Sequence, residues 1–277
     1  MPLAQINAVE LYFESHGAGP RVLYIGGTGG DLRKTRPDRS PLNRSFTVLS
    51  YDQRGLGQSA KPPTDYTMAD YADDAAALIR SQGWDRCHVV GTSFGGMVAL
   101  NLAVRHPELV DRFVLNCTAA GGVSASYPLH ELAALDPDVR FETRMRLLDS
   151  RWDPSAPEPI PGLGAYYDIV ASESRTEPDA AQLDGLVRQL GARAGHDVVA
   201  HLGSIGQPTL VCAGRFDELA PLARSQFLVD QLADAMLRIF DGGHLFLLQD
   251  PKAFRAITDH LLADPVGTTA DTDTAQP

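Results

Sequence analysis

Six short apolar runs, rich in β-branched residues, recur along the chain: 21–27 (RVLYIGG), 46–52 (FTVLSYD), 87–93 (CHVVGTS), 112–118 (RFVLNCT), 208–214 (PTLVCAG) and 235–241 (AMLRIFD). A strand with one wet face alternates apolar and polar residues. These runs hardly alternate, so they predict parallel strands covered on both faces. Helical periodicity fills the gaps, over 68–82, 94–105, 221–232 and 251–262. The first of these ends before Gly83, and the second is closed by His106-Pro107. The opening segment INAVELYFESHG predicts a hairpin lying antiparallel at the sheet edge. This alternation predicts an α/β fold with a doubly wound, mostly parallel sheet.

One stretch breaks the rhythm. Residues 123–205 separate two predicted strands, far more than a normal connection. Their pattern is mostly helical (LHELAAL, VRFETRMRLLDS, AYYDIVASES, AAQLDGLVRQLGARAG), with a proline-rich turn segment at 153–161. The expected organisation is a core of residues 1–122 and 206–262, a helical cap of 123–205, and a disordered tail of 263–277, poor in apolar residues.

Composition narrows the function. Of the 277 residues, 24 are Lys or Arg and 35 are Asp or Glu, a net charge of −11. That balance argues against nucleic-acid partners and against adsorption to anionic membranes. No apolar run reaches the roughly 18 residues of a membrane span. The N-terminal segment lacks the basic and apolar regions of a signal peptide. A cytoplasmic protein is expected. Cys87, Cys117 and Cys212 sit in or beside strand-like runs and read as buried reduced thiols. No Cys/His spacing suggests a metal site, so no metal or cofactor is expected.

The chemistry begins at Gly91-Thr92-Ser93-Phe94-Gly95, a G-x-S-x-G sequence between a predicted strand and a predicted helix. A sharp turn there strains Ser93 and exposes its oxygen at the carboxyl edge of the sheet. It also sets the Phe94 N–H and the positive helix end beside that oxygen. A bare helix cap would use the same residues, so partners must decide. A serine needs a base, and the base an orienting acid. Among eight histidines, His244 alone follows a strand and turn and precedes the last helix, which puts it at the edge that carries Ser93. His88 reads as packing and His106 as a helix-end residue. Asp217 follows the 208–214 strand and is the expected acid, with Glu218 able to replace it if the loop register shifts.

GTSFGG, AGRFDELAP and DGGHLFLLQDP, in the order Ser93, Asp217, His244, resemble the alpha/beta-hydrolase superfamily. A fourth motif, Tyr51-Asp52-Gln53-Arg54-Gly55-Leu56-Gly57-Gln58-Ser59, is similar to the branch holding esterases, enol-lactonases, epoxide hydrolases and cofactor-free haloperoxidases. In it Asp52 and Arg54 would stabilise a turn. The resemblance spans about residues 1–262. It implies an oxyanion hole from the backbone N–H groups of Thr28 and Phe94. The family often has His-Gly-x at the oxyanion loop, whereas Gly26-Gly27-Thr28 stands here, followed by Gly29-Gly30. That segment fits no phosphate-loop register.

The resemblance implies a serine hydrolase that cleaves a small ester or lactone through an acyl-enzyme. Ser93 separates the chain from the dehalogenases and epoxide hydrolases of this fold, which use aspartate. Carbon–carbon bond hydrolases acting on vinylogous diketones share the triad but commonly carry Trp after the histidine, where Leu245 stands. Haloperoxidase activity would be a side reaction of an esterase site. A triad-bearing small-molecule receptor with little turnover is the reading from another class. The partner implied is a small-molecule substrate, and oligomeric state is left open. Gly27, Tyr127, Trp152, Tyr166 and Leu245 are candidate pocket residues. Phe141 and Tyr167 belong to the same aromatic set, for which cap packing is an equal explanation. Arg33, Lys34, Arg36 and Arg39 form a basic cluster that either draws in an anionic substrate or is solvated surface.

Overall fold

A computed structural model of the chain describes residues 2–164, 166 and 179–263. Its eight strands are β1 (Leu3–Ile6), β2 (Val9–His16), β3 (Arg21–Ile25), β4 (Thr47–Tyr51), β5 (Cys87–Thr92), β6 (Val110–Asn116), β7 (Thr209–Gly214) and β8 (Ala235–Phe240). They form one sheet in the order β1-β2-β4-β3-β5-β6-β7-β8. β1 and β2 form an antiparallel hairpin, β2 joins β4 antiparallel, and every pairing beyond is parallel. Asn7 and Ala8 turn the hairpin with φ of 45° and 64°, the left-handed pair that matches strand twist in a two-residue loop.

The helices are α1 (Leu32–Thr35), α2 (Met68–Ser81), α3 (Phe94–Arg105), α4 (Pro137–Leu148), α5 (Ala180–Ala194), α6 (Leu222–Gln231), α7 (Phe246–Gln249) and α8 (Lys252–Leu261). Successive strand residues serve opposite faces. Leu23, Val89, Phe113 and Val211 pack with α2, α3 and α6 residues such as Ile79, Val98 and Leu228. Their neighbours Val22, Val90, Val114 and Leu210 pack with Ile257 and Leu261 of α8. This double burial explains the unbroken apolar runs. β7 is buried throughout, whereas the edge strand β8 leaves Met236 and Ile239 exposed.

Between β6 and β7 the described residues form α4, α5 and short helical turns. The last part of this stretch packs on the sheet's helical layer, with Val198, Leu202 and Ile205 in the same cluster as Leu102 and Val211. Tyr167, most of the AYYDIVASES segment and the tail from residue 264 lie outside the described residues. Cys87, Cys117 and Cys212 are buried free thiols. Among the described residues no helix is long and apolar enough to cross a membrane.

Candidate active site

Ser93 stands between the end of β5 and the start of α3, with φ 54° and ψ −117°. A non-glycine residue held there costs on the order of 1–3 kcal/mol, so the surroundings must over-determine it. They do so at the backbone. Its N–H donates to the Asn116 carbonyl at 2.8 Å. Its carbonyl accepts from the Gly96 N–H at 2.9 Å and from the Thr118 hydroxyl at 2.7 Å. The flanking glycines are steric requirements. A Cβ on Gly91 would lie 2.5 Å from the Gly95 carbonyl oxygen, and one on Gly95 would collide with the Ile25 carbonyl.

Asp217 and His244 arrive from the loops after β7 and β8. Asp217 Oδ1 accepts from the Leu219 and Ala220 N–H groups, both at 2.9 Å. Its Oδ2 lies 2.8 Å from His244 Nδ1, and His244 Nε2 lies 2.9 Å from Ser93 Oγ. A carboxylate only accepts, so this network puts the imidazole proton on Nδ1 and leaves Nε2 to accept from the serine hydroxyl. All three side chains are buried, whereas Glu218 is exposed. The His244 loop is tied to the segment between β6 and β7. The His244 N–H donates to the Leu148 carbonyl at the end of α4, at 2.6 Å. Gln249 accepts from the Gly243 N–H and donates to buried Asp149, which also pairs with Arg151.

Gly27 borders the elbow, since a Cβ there would lie 3.5 Å from Ser93 Cβ. The loop 26–32 is held by side chains from three directions. Gln53 donates to the Gly26 carbonyl, Gln189 of α5 accepts from the Gly29 N–H, and Asp52 accepts from the Leu32 N–H. The Thr28 hydroxyl is buried without a partner. The Phe94 N–H, at the first position of α3, has no intrahelical acceptor. Phe94 follows Ser93 directly, and Thr28 follows Gly27 on the loop that borders it. Asp52 also accepts from the Gln58 N–H, and Arg54 forms a buried pair with Asp74 at 2.6 Å, so both residues hold the turn.

The candidate pocket residues separate into two groups. Trp152 is buried with Met145, Leu148, Ile160 and Leu163, and Phe141, Tyr166 and Leu245 pack against this cluster. Tyr127 instead packs in another cluster with Leu132, Leu147 and Leu219. In the basic cluster Arg33 pairs with Asp31 and Arg36 with Asp38, which weakens its field. His88 packs edge-on to Phe46, and His106 pairs with Asp73.

Among the described residues one grouping has donor atoms close enough for a metal ion, Cys117 with Asp217 and His244. Its carboxylate and imidazole are engaged with each other, and burial drives the Cys117 thiol well above its ordinary pKa, so the set is poorly suited to a metal. The sequence marks α5 as helical and gives no sign of what it docks against. Gln182 both accepts from and donates to the Gly57 backbone, and Gly185 lies directly against the Gly55 carbonyl. Gln189 and Arg193 follow on the same face, both buried. Polar residues at helical spacing read as a solvent face, so this docking left no signal.

A family model described as alpha/beta hydrolase fold matches residues 20–150. The chain is 33% identical over 266 residues to "Putative carbamate hydrolase RutD" of Pseudomonas savastanoi pv. phaseolicola, covering 92% of this chain and 98% of that one. The structure is similar to the enol-lactonase from Burkholderia xenovorans LB400, with a TM-score of 0.78, 25% identity, and coverage of 95% and 100% of the two chains. It is also similar to Est816, an N-acyl homoserine lactone degrading enzyme, with a TM-score of 0.76, 26% identity, and coverage of 93% and 98%.

Proposed function

Because this chain belongs to the alpha/beta-hydrolase superfamily and is a hydrolase of that fold, we propose that it cleaves a small ester or lactone through a Ser93 acyl-enzyme. The observation that carries this reading is the Asp217–His244–Ser93 hydrogen-bond chain on a strained elbow. Ser93 Oγ attacks the carbonyl carbon while His244 Nε2 takes its proton. The N–H groups of Thr28 and Phe94 hold the oxyanion. Each such donor contributes on the order of 3 kcal/mol to transition-state binding. His244 then protonates the leaving oxygen, and the C–O bond breaks. A water deprotonated by His244 releases the acid and restores Ser93. Asp217 fixes the imidazole tautomer and stabilises the imidazolium.

The similarity to an enol-lactonase and to an N-acyl homoserine lactone degrading enzyme supports the lactone side of this reading. The RutD relative favours a second reading, a carbamate, whose carbonyl admits the same attack. The test is a panel of p-nitrophenyl esters, lactones, carbamates and vinylogous diketones, with Ser93→Ala beside the native protein. Multiple turnover on esters or lactones, abolished in Ser93→Ala, and fluorophosphonate labelling of Ser93 are expected. Equal turnover by Ser93→Ala overturns the assignment of the nucleophile. Preference for a diketone or carbamate overturns the substrate class, and a single slow turnover identifies a receptor.

A further inference from the structure

Arg193 is an unusual residue to bury. It is 7% exposed, and burial lowers its guanidinium to about 10. Lys and Arg are almost never this buried without an acidic partner. Yet among the described residues the one side-chain hydrogen bond of Arg193 runs from its terminal nitrogen to the Ser126 hydroxyl at 2.7 Å, and its Nε has no acceptor. Among the described residues no carboxylate pairs with it. Among the described residues the Gln189 amide nitrogen, one turn earlier on α5, is likewise buried without a partner.

The position of this cation is informative. Gln189, one helical turn earlier on α5, holds the Gly29 N–H beside Thr28. Ser126 lies on the segment leaving β6, which also carries Thr118, the residue that holds the Ser93 carbonyl. On α5, Arg193 thus reaches the segment after β6 and Gln189 reaches the loop 26–32, and both of these stretches border Ser93. A buried cation without an acidic partner among the described residues and an unused amide N–H, one helical turn apart on α5, form a donor set awaiting an acceptor. A guanidinium matches a carboxylate in two parallel hydrogen bonds.

We propose that Arg193, with the Gln189 amide, is a subsite for a carboxylate on the substrate, so that the enzyme selects an anionic ester or lactone over its neutral counterpart. This rests on the hydrolase reading above and narrows its substrate class.

The test compares mono-p-nitrophenyl glutarate with p-nitrophenyl valerate, its neutral analogue of equal chain length. Native protein is expected to prefer the anionic ester in kcat/KM by about 10- to 100-fold. Arg193→Gln collapses that ratio toward one, mainly through KM for the anionic ester, and Arg193→Lys recovers part of it. No preference in the native protein, or an unaltered ratio in Arg193→Gln, overturns the subsite. Competition in the native protein needs no variant. Glutarate should inhibit more strongly than its dimethyl ester, and equal inhibition overturns the proposal. Should neither ester turn over, the hydrolase reading fails separately. Calorimetry of glutarate binding to native and Ser93→Ala protein then decides the subsite, supported by binding and overturned by its absence.

Discussion

Acidification to pH 5 should destabilise this protein through His196, at the exit of α5. The ring is 4% exposed, and burial drives its pKa from 6.5 to about 4. Its hydrogen bonds require the neutral form. The Asn101 amide donates to Nδ1 at 3.1 Å, so the proton sits on Nε2 and is donated to the Ala119 carbonyl. Protonation would turn Nδ1 into a donor facing a donor. Nearby Asp197 raises the pKa and Arg193 lowers it, both less than burial does. The unfolded chain takes up its proton near pH 6.5 and the folded chain only near 4. The stabilisation is therefore complete above 6.5 and is lost as pH falls from 6.5 to 4. The full loss is about 3 kcal/mol, and about 2 kcal/mol at pH 5. Half-buried His88 and His260 are lowered too, so a variant must isolate the contribution. Urea denaturation of native protein and His196→Gln at pH 7 and pH 5 does so. The native protein should lose about 2 kcal/mol more than the variant. A difference below about 0.5 kcal/mol, or an NMR titration of His196 near 6.5, would refute the reasoning.

Further predictions concern the site and its supports. Asp217→Asn should leave the fold intact and lower kcat by about 10³- to 10⁴-fold, because the wrong imidazole tautomer faces Ser93; a loss below tenfold in steady-state kinetics contradicts the role of Asp217. Gln189→Leu removes the acceptor of the Gly29 N–H, so kcat on a neutral ester should fall about tenfold as the loop 26–32 loses its order; an undiminished kcat would free the loop from α5. Gly185→Ala drives a Cβ into the Gly55 carbonyl. It should cost about 1–3 kcal/mol, read as a fall of roughly 2–10 °C in melting temperature. An unchanged melt would mean that α5 docks elsewhere.

The strands, the covering helices and the placement of Ser93, Asp217 and His244 were legible because each has a local cause. Burial on both faces makes a strand read as an unbroken apolar run, and the elbow needs glycine at 91 and 95. The loops after β7 and β8 leave the same edge of a parallel sheet as Ser93, so topology alone brings Asp217 and His244 near it. Tyr127 and Trp152 could not be sorted in advance, because an aromatic side chain looks the same lining a cleft or filling a core. The docking of Gln182 and Gln189 was invisible for a sharper reason. Their partners are backbone groups of Gly57 and Gly29, more than a hundred residues away, and any residue offers such groups.

The bond from the His244 N–H to the Leu148 carbonyl bears on how such an enzyme diversifies. The segment between β6 and β7 grips the His244 loop through α4 and the loop 26–32 through α5. A chimera importing that segment from a relative would inherit a new cleft together with a new alignment of the reacting groups. Selectivity and turnover would drift together rather than separately. Libraries meant to retarget the enzyme should hold 148–151, Gln182, Gly185 and Gln189 constant and vary the side chains between those moorings.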